Sequence, residues 1–241
     1  MGDGLCLLGV GTVVAAPAAQ DLTFQGRGTT LNASGSITMN YSTVDSGSAP
    51  SAGDLVIYFV QANPEPATFS LPSGWTNVGE QVDAGNDEEH YMLAKVVASG
   101  DVSSPPTPFG AATWSAGMWI AARPTNAATI AGTPGYADSG NATGADPSGI
   151  NVNASAVAAP GIMASIHMGY GADANPLGAT WGAATGTSTF SHIDDDGVNE
   201  YIMTCIYKLY PASASTGENI SADQGDKGLA NWQCLGSVFV T

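Results

Sequence analysis

Apolar and polar positions alternate or run together in short stretches along nearly the whole chain, which is the pattern of strands. The clearest case is Gly53 to Trp75, GDLVIYFVQANPEPATFSLPSGW, whose apolar run from Leu55 to Ala62 is stopped by a Pro-rich turn. Eight residues are too few for an average helix, so the run predicts a buried central strand. A second segment, Pro160 to Trp181, repeats the order of parts: Gly or Pro entry, apolar strand, polar turn with Pro, then Trp. In both places an acidic loop and a Tyr-led apolar strand follow, DAGNDEEHYMLAKVV from Asp83 and IDDDGVNEYIMTCIYKL from Ile193. Each half closes on a Trp-led strand, Thr113 to Ala122 and Asn231 to Val240. Leu55 with Ile162, Trp75 with Trp181, Tyr91 with Tyr201 and Trp114 with Trp232 keep one order, so the sequence reads as a degenerate duplication. Its period is far longer than those of solenoids and propellers.

Shorter signals fill in the rest. Ile37, Met39 and Tyr41 alternate in SITMNYST and predict a half-buried strand. Ile150, Val152 and Ala154 do the same in the second half, giving five strands to each. Ser99 to Gly110 carries three prolines, Pro105, Pro106 and Pro108, and predicts an exposed loop or edge. No stretch longer than about two turns has helical periodicity, so any helix is expected to be short and to lie in a connection. The expected fold is all-β: an antiparallel, jelly-roll-like sandwich of about ten strands. Residues 1–30 form an extended N-terminal arm, and residues 31–241 form one sandwich with half-repeats at about 31–124 and 150–241 and a join at 125–149. Neither half holds enough large apolar residues for a core of its own, which favours one sandwich over tandem domains.

Composition changes this picture in three ways. Gly, Ala, Ser and Thr are abundant while Leu, Glu and Lys are scarce, in keeping with β structure. A net charge of −16, from 21 acidic and five basic residues, repels phosphate backbones and argues against nucleic acid as a partner. The same charge favours solubility and discourages indiscriminate self-association, as suits display at high local density. Three cysteines, Cys6, Cys205 and Cys234, have no metal-ligand spacing, and Cys205 and Cys234 fall in predicted strands as buried thiols rather than an obvious disulfide.

The N-terminus, MGDGLCLLGVGTVVAAPAAQ, has an apolar run from Leu5 to Ala16 but no basic n-region, so it is read as retained rather than cleaved. The run is too short and too Gly-rich to span a bilayer. It either docks on a neighbouring chain or folds back onto its own sandwich.

Taken together, GDLVIYFV, LPSGWTNVGE, YMLAKVV, TWSAGMWIAARP and the later echo from NVNASAVAAPGIMASI to NWQCLGSVFV resemble a β-sandwich domain of tailed-bacteriophage proteins, in which GDLL, PSGWT and YYKV motifs recur. The resemblance covers roughly Ile37 to Thr241. It implies a virion component exposed on the particle, either a capsid decoration or head spike protein or a tail-tip or tail-fibre module. Its implied partners are other virion proteins and further copies of itself in a homo-oligomer. It implies no catalytic residues. In this alignment Lys95 is the basic residue of the aromatic strand and Cys205 stands at the matching place, so no charge role carries over.

Searching for chemistry agrees with a non-enzymatic reading. There is no GxSxG, HExxH, phosphate-cradling loop or dinucleotide fingerprint, and the sequence sets His90, His167 and His192 in no catalytic motif. Nearly all acids fall in predicted loops, unlike the facing carboxylates of a glycosidase. Asp194, Asp196, Asn199 and Glu200 space oxygen ligands around Gly197 and form a calcium candidate, with a solvated hairpin tip as the alternative. For an adhesin, which would bind a host-surface receptor or glycan, Trp119, Pro106 and Phe109 are the candidates. Trp119 falls on the opposite strand face from Trp114, so if any tryptophan is exposed for binding, it is the one expected to be.

Overall fold

A computed structural model of the chain describes residues 20–32, 37–63, 69–83, 88–110, 114–138, 142–143, 152–153, 160–171, 179–182, 188–195, 200–210, 219–224 and 230–241. The strands are β1 (Leu22–Asn32), β2 (Ser46–Gly47), β3 (Leu55–Asn63), β4 (Thr76–Asp83), β5 (Glu88–Val96), β6 (Trp114–Pro124), β7 (Ile130–Asp138) and β8 (Ala142–Thr143). They continue with β9 (Val152–Asn153), β10 (Gly161–Gly171), β11 (Ala179–Gly182), β12 (Ser188–Asp195), β13 (Glu200–Tyr210), β14 (Asn219–Gln224) and β15 (Ala230–Val240). One short helix, α1 (Ser99–Ser103), lies in the connection from β5 to β6, short and in a connection as any helix was expected to be.

Two antiparallel sheets make the sandwich. The first runs β2-β1-β6-β3-β5-β4 and the second β12-β13-β10-β15-β7, with β8 extending the edge beside β15. A small third sheet runs β11-β14-β9. Leaving β2 and β8 aside, the two main sheets have one order: β4-β5-β3-β6-β1 matches β12-β13-β10-β15-β7 strand for strand.

Between the sheets lies a shared core. Leu55, Ile57, Phe59, Met92, Met118 and Ile120 of the first sheet meet Ile162, Ala164, Ile166, Cys205, Tyr207 and Val238 of the second. Gly236 of β15 lies so close to Met92 that a Cβ there would strike its sulfur. On the far side of the first sheet, Val56, Tyr58, Val60, Tyr91, Leu93 and Trp119 form a second core under Ile37, Met39, Tyr41, Trp75 and Phe109. Burial on both faces explains why β3 reads as a continuous apolar run and not as an alternation. Each large side chain so buried contributes about 1.5–3 kcal/mol.

Several expectations need correcting. Ile37 to Tyr41 is not a strand of a main sheet: Ile37, Met39 and Tyr41 are buried over the first sheet, with Met39 N–H donating to the Pro106 carbonyl at 2.8 Å and Asn40 N–H turning back to the Thr38 carbonyl at 2.7 Å. Strand β1 begins at Leu22, so residues 22–30 belong to the sandwich and not to an arm; Met1 to Ala19 lie outside the described residues. The expected join contains β7, the edge strand of the second sheet. The two chain segments thus turn from one sheet to the other within Thr125 to Thr129. Of Ile150 to Val157, only Val152–Asn153 is described, paired with β14 in the small sheet.

Ladder registers also revise the internal alignment. Leu55 pairs with Val96 and Ala122, and Ile162 pairs with Leu209 and Val238, so Leu55 and Ile162 correspond as expected. The same ladders pair Val56 with Lys95 and Met163 with Lys208, which makes Lys208, not Cys205, the counterpart of Lys95. Tyr91 then matches Thr204 and Trp114 matches Ala230. Trp181 lies in β11 of the small sheet, away from the position that matches Trp75. Reciprocal ends confirm the register: Thr125 N–H donates to the Asp21 carbonyl, and Thr241 N–H donates to the Thr129 carbonyl, each at 2.9 Å. Aromatic identity misled the alignment because main-chain hydrogen bonds, not matching rings, fix a register.

Candidate functional site

The residues singled out for binding converge on the outer face of the first sheet, where they act as a cover. Trp119 pairs with Gly28 on one side and Tyr58 on the other. Because Gly28 has no side chain, the indole fills the space above it; a Cβ there would collide with the ring and with the Thr43 carbonyl. Tyr41 closes over the indole edge-on, with ring centroids 5.5 Å apart at 86°. Trp119 is therefore fully buried, which corrects its assignment as the exposed tryptophan. The signal that pointed to this was QGRGTT in β1, whose glycines leave room for a neighbour's ring.

Phe109 is also fully buried. It bridges to Phe69, and their rings share a cluster with Tyr91, at 5.6 Å from Phe109 to each and 3.5 Å between the stacked Phe69 and Tyr91. Pro106 is half-buried and fastens this loop to Met39, while the Thr38 and Thr107 hydroxyls meet at 3.2 Å. Ser99 to Gly110, expected as an exposed loop or edge, carries α1 and keeps Ser99, Gly100, Ser103, Ser104, Thr107 and Gly110 exposed, but buries Pro108 and Phe109 against the outer core.

Beneath the cover runs a short polar chain. The Tyr58 hydroxyl donates to Thr30 Oγ1 at 2.7 Å, and Thr30 Oγ1 donates to the Asn40 carbonyl at 2.9 Å. Burial pushes the Tyr58 phenol above its ordinary range, with the Thr30 bond partly offsetting it. Burial likewise raises Tyr41, helped by the proximity of Tyr58 and Asp101.

Two ion pairs that sequence reasoning missed hold the margins of this face. Asp54 accepts from Arg123 Nε at 2.8 Å and Nη2 at 3.1 Å, and from the Ser51 N–H at 2.7 Å. Lys95 donates to Asp101 Oδ1 at 2.8 Å and to the Ser73 carbonyl at 3.0 Å, and its ammonium lies over the Trp75 ring. Asp101 Oδ2 accepts the Ala98 N–H at 2.7 Å, which fixes the start of α1. In the second sheet Lys208 lies over Tyr210, and Arg27 of β1 lies over Tyr207. Four of the five cations in a chain of net charge −16 are thus engaged within the molecule.

The acidic stretches are hairpin ends at matching places. Asp83 pairs with Glu88 across β4 and β5, and Asp195 pairs with Glu200 across β12 and β13. Asp194 is in β12 and Glu200 opens β13, while Asp196 and Asn199 of the calcium candidate lie outside the described residues. Among the described residues, no three acids, histidines or cysteines gather as a metal site. Glu89 and His90 are both buried near the first hairpin, but as neighbours on one strand they face opposite sides of the sheet and cannot act on one substrate. His90 pairs in register with Gln61 of β3. His167 and His192 lie in β10 and β12.

Three large apolar side chains remain exposed among the described residues: Phe24 at 36%, Val44 at 39% and Leu71 at 45%. Phe24 stacks on Tyr207 at 5.8 Å and so closes the side of the sandwich beside β1. No described helix is long and apolar enough to cross a membrane. Comparison with protein-family models, with curated proteins and with solved structures finds no match for this chain.

Proposed function

We propose that the chain is a non-enzymatic structural subunit of a tailed-bacteriophage particle, a capsid decoration or head spike protein attached through its N-terminal segment. The observation that carries this reading is where the aromatic and cationic side chains are spent. The rings named for binding, Trp119 and Phe109, close the outer core, and the described cations are engaged internally. What remains is a net charge of −16 that repels like neighbours except where a dedicated contact overcomes it. The alternative, a tail-tip or fibre adhesin, loses two of its three named contacts, Trp119 and Phe109, to burial and so draws less support.

Attachment falls to Met1 to Ala19, whose apolar run precedes β1 of the first sheet in the sequence. Deleting Met1 to Ala19 is expected to abolish incorporation into particles while leaving the far-UV circular dichroism and melting profile of the sandwich in place. A truncated protein that still loads onto particles at the wild-type level would overturn the attachment role. Labelling intact particles with an antibody to the sandwich tests the location itself.

A further inference from the structure

The chain enters the sandwich and crosses between its sheets at one place. Gln20 Nε2 donates to the Asn126 carbonyl at 3.3 Å, and the Asn126 N–H donates back to Gln20 Oε1 at 2.9 Å. Leu22 N–H donates to Asp21 Oδ1 at 2.8 Å, so the chain is fixed to the crossover before β1 begins. Leu22 pairs with Pro124, and Leu55 with Val96 and Ala122, at this end of the first sheet. Gly161, Tyr210 and Phe239 stand at the matching end of the second, where Val240 pairs with Ile130. The link from Pro124 to Ile130, through Thr125 to Thr129, spans at most about 22 Å. Strands β6, β10 and β15, of 11 residues each, are about 36 Å long. The crossover therefore brings like ends of the two sheets together, and each acidic hairpin lies at the far end of its own sheet.

Charge divides along the same axis. Residues 83–89 hold Asp83, Asp87, Glu88 and Glu89, residues 194–200 hold Asp194, Asp195, Asp196 and Glu200, and neither segment holds Lys or Arg. At the crossover end stand Lys95 opposite Val56, Arg123 opposite Thr23 and Lys208 opposite Met163. The described acids at that end are Asp21, Asp54 and Asp101, of which Asp54 is paired with Arg123 and Asp101 with Lys95. Thr125, Asn126, Ala127, Thr129 and Thr241 are exposed around them, small and uncharged. The crossover end is thus balanced in charge, while the hairpin segments carry acid alone.

We infer that the crossover end is the face this subunit sets against the particle, with the two acidic hairpins pointing away, an inference that rests on the attachment reading above. The partner it fits is an uncharged surface with an apolar groove for Leu5 to Ala16. Reach fixes the place. Ala16 is four residues from Gln20 and so lies within about 14 Å of the crossover, less than half a strand's length, and the groove must begin there. Charge fixes the orientation. At physiological salt the screening length is about 8 Å, so carboxylates a strand's length away do not oppose a contact made at the crossover. Seating the hairpins instead would press those carboxylates against the partner and strip their water with no cation of this chain among them.

Epitope display on assembled particles tests it. Each variant is supplied during assembly, loading is read by immunoblot of purified particles, and exposure by antibody binding to intact ones. A short epitope inserted between Gly85 and Asn86, in the connection from β4 to β5, is expected to load at the wild-type level and to bind its antibody on intact particles. Ala127→Trp is expected to lower loading by about tenfold, because a ring there holds two fitted surfaces apart. Its far-UV spectrum and melting profile should be unchanged, since Ala127 is exposed in the free subunit. Should that variant misfold, the epitope decides alone. A folded, tagged subunit that fails to load or whose epitope is hidden on intact particles, or a folded Ala127→Trp that loads as wild type does, would overturn the inference and leave attachment standing. A wild type that never appears on particles would remove the attachment reading and this orientation with it.

Discussion

At the start of β3, Asp54 is flanked by Arg123 of β6 and Val97; at the matching point of β10, Gly161 is flanked by Phe239 of β15 and Tyr210 of β13. The first sheet closes this corner with a buried carboxylate, 1% exposed, reached by a guanidinium that is 48% exposed. The second closes it with two rings, 6.3 Å apart, that meet where a glycine leaves room. One backbone position thus has a polar solution and an apolar one. The polar solution requires each carboxylate oxygen to be satisfied, as Ser51 and Arg123 do. The apolar solution requires only that no side chain stand between the rings, since a Cβ on Gly161 would strike Phe239 and the Val238 carbonyl. What the two halves share is the hydrogen-bonded ladder and the lysine over an aromatic ring; what they do not share is the chemistry of closure.

Exchanging the two solutions gives the largest effect. Gly161→Asp alone buries a carboxylate against Phe239 and is expected to cost about 3 kcal/mol, from overpacking and an unsatisfied acid. For a chain of this size that lowers the melting temperature by on the order of 10 °C. Adding Phe239→Arg rebuilds the first sheet's pair, and the double variant is expected to recover at least about 1 kcal/mol relative to the sum of the single changes. Thermal melts of the two single variants and the double variant measure this. Strict additivity would mean that the two corners are not equivalent, and the register match between the halves would lose its meaning.

A smaller effect separates the halves by pH. The first half buries the Tyr58 phenol, while the register gives Ser165 in its place in the second. Folded Tyr58 and Tyr41 hold their protons above the ordinary range because burial penalises the phenolate. The unfolded chain releases those protons near pH 10, so there it binds fewer protons than the folded one. Stability is therefore complete below about pH 10 and falls above it, by up to about 1.4 kcal/mol per pH unit for each such group. Tyr58→Phe is expected to cost about 1 kcal/mol at neutral pH through the lost bond to Thr30, yet to make the alkaline decline shallower. Urea unfolding at neutral and at two alkaline pH values checks both signs; a slope unchanged by the substitution would show that Tyr58 is not the group responsible.

How much of this was readable beforehand depended on whether the feature is local. The uninterrupted run in β3, the breakers around it, and the scarcity of helical periodicity carry their own physics, so the all-β sandwich and the short connecting helix followed from them. Register did not, because it is set by partners far along the chain: only the ladders bring Lys95 and Lys208 to one position. Burial of Trp119 depends on Gly28 and Tyr41, residues more than seventy positions away, and no pattern within β6 could announce it.

The cysteines provide the smallest expected effect, and the ladders decide it. Ile166 of β10 pairs with Cys205 on one side and with Cys234 on the other, so a whole strand separates the two. Two strand spacings put their Cα atoms about 10 Å apart. A disulfide requires Cα atoms within about 7 Å, so bonding them would force β10 out of the sheet. In the first half the place of Cys205 is held by Met92, packed beneath Gly236, so a buried apolar group occupies the position in both halves. Burial also pushes the Cys205 thiol well above its ordinary range, an effect that Arg27 only partly opposes, leaving it protonated and a poor nucleophile. A digest of native protein prepared without reductant is expected to yield no peptide linking Cys205 to Cys234, and alkylation of Cys205 should proceed no faster than unfolding. A linked peptide would require a different strand between β13 and β15, and with it a different second sheet.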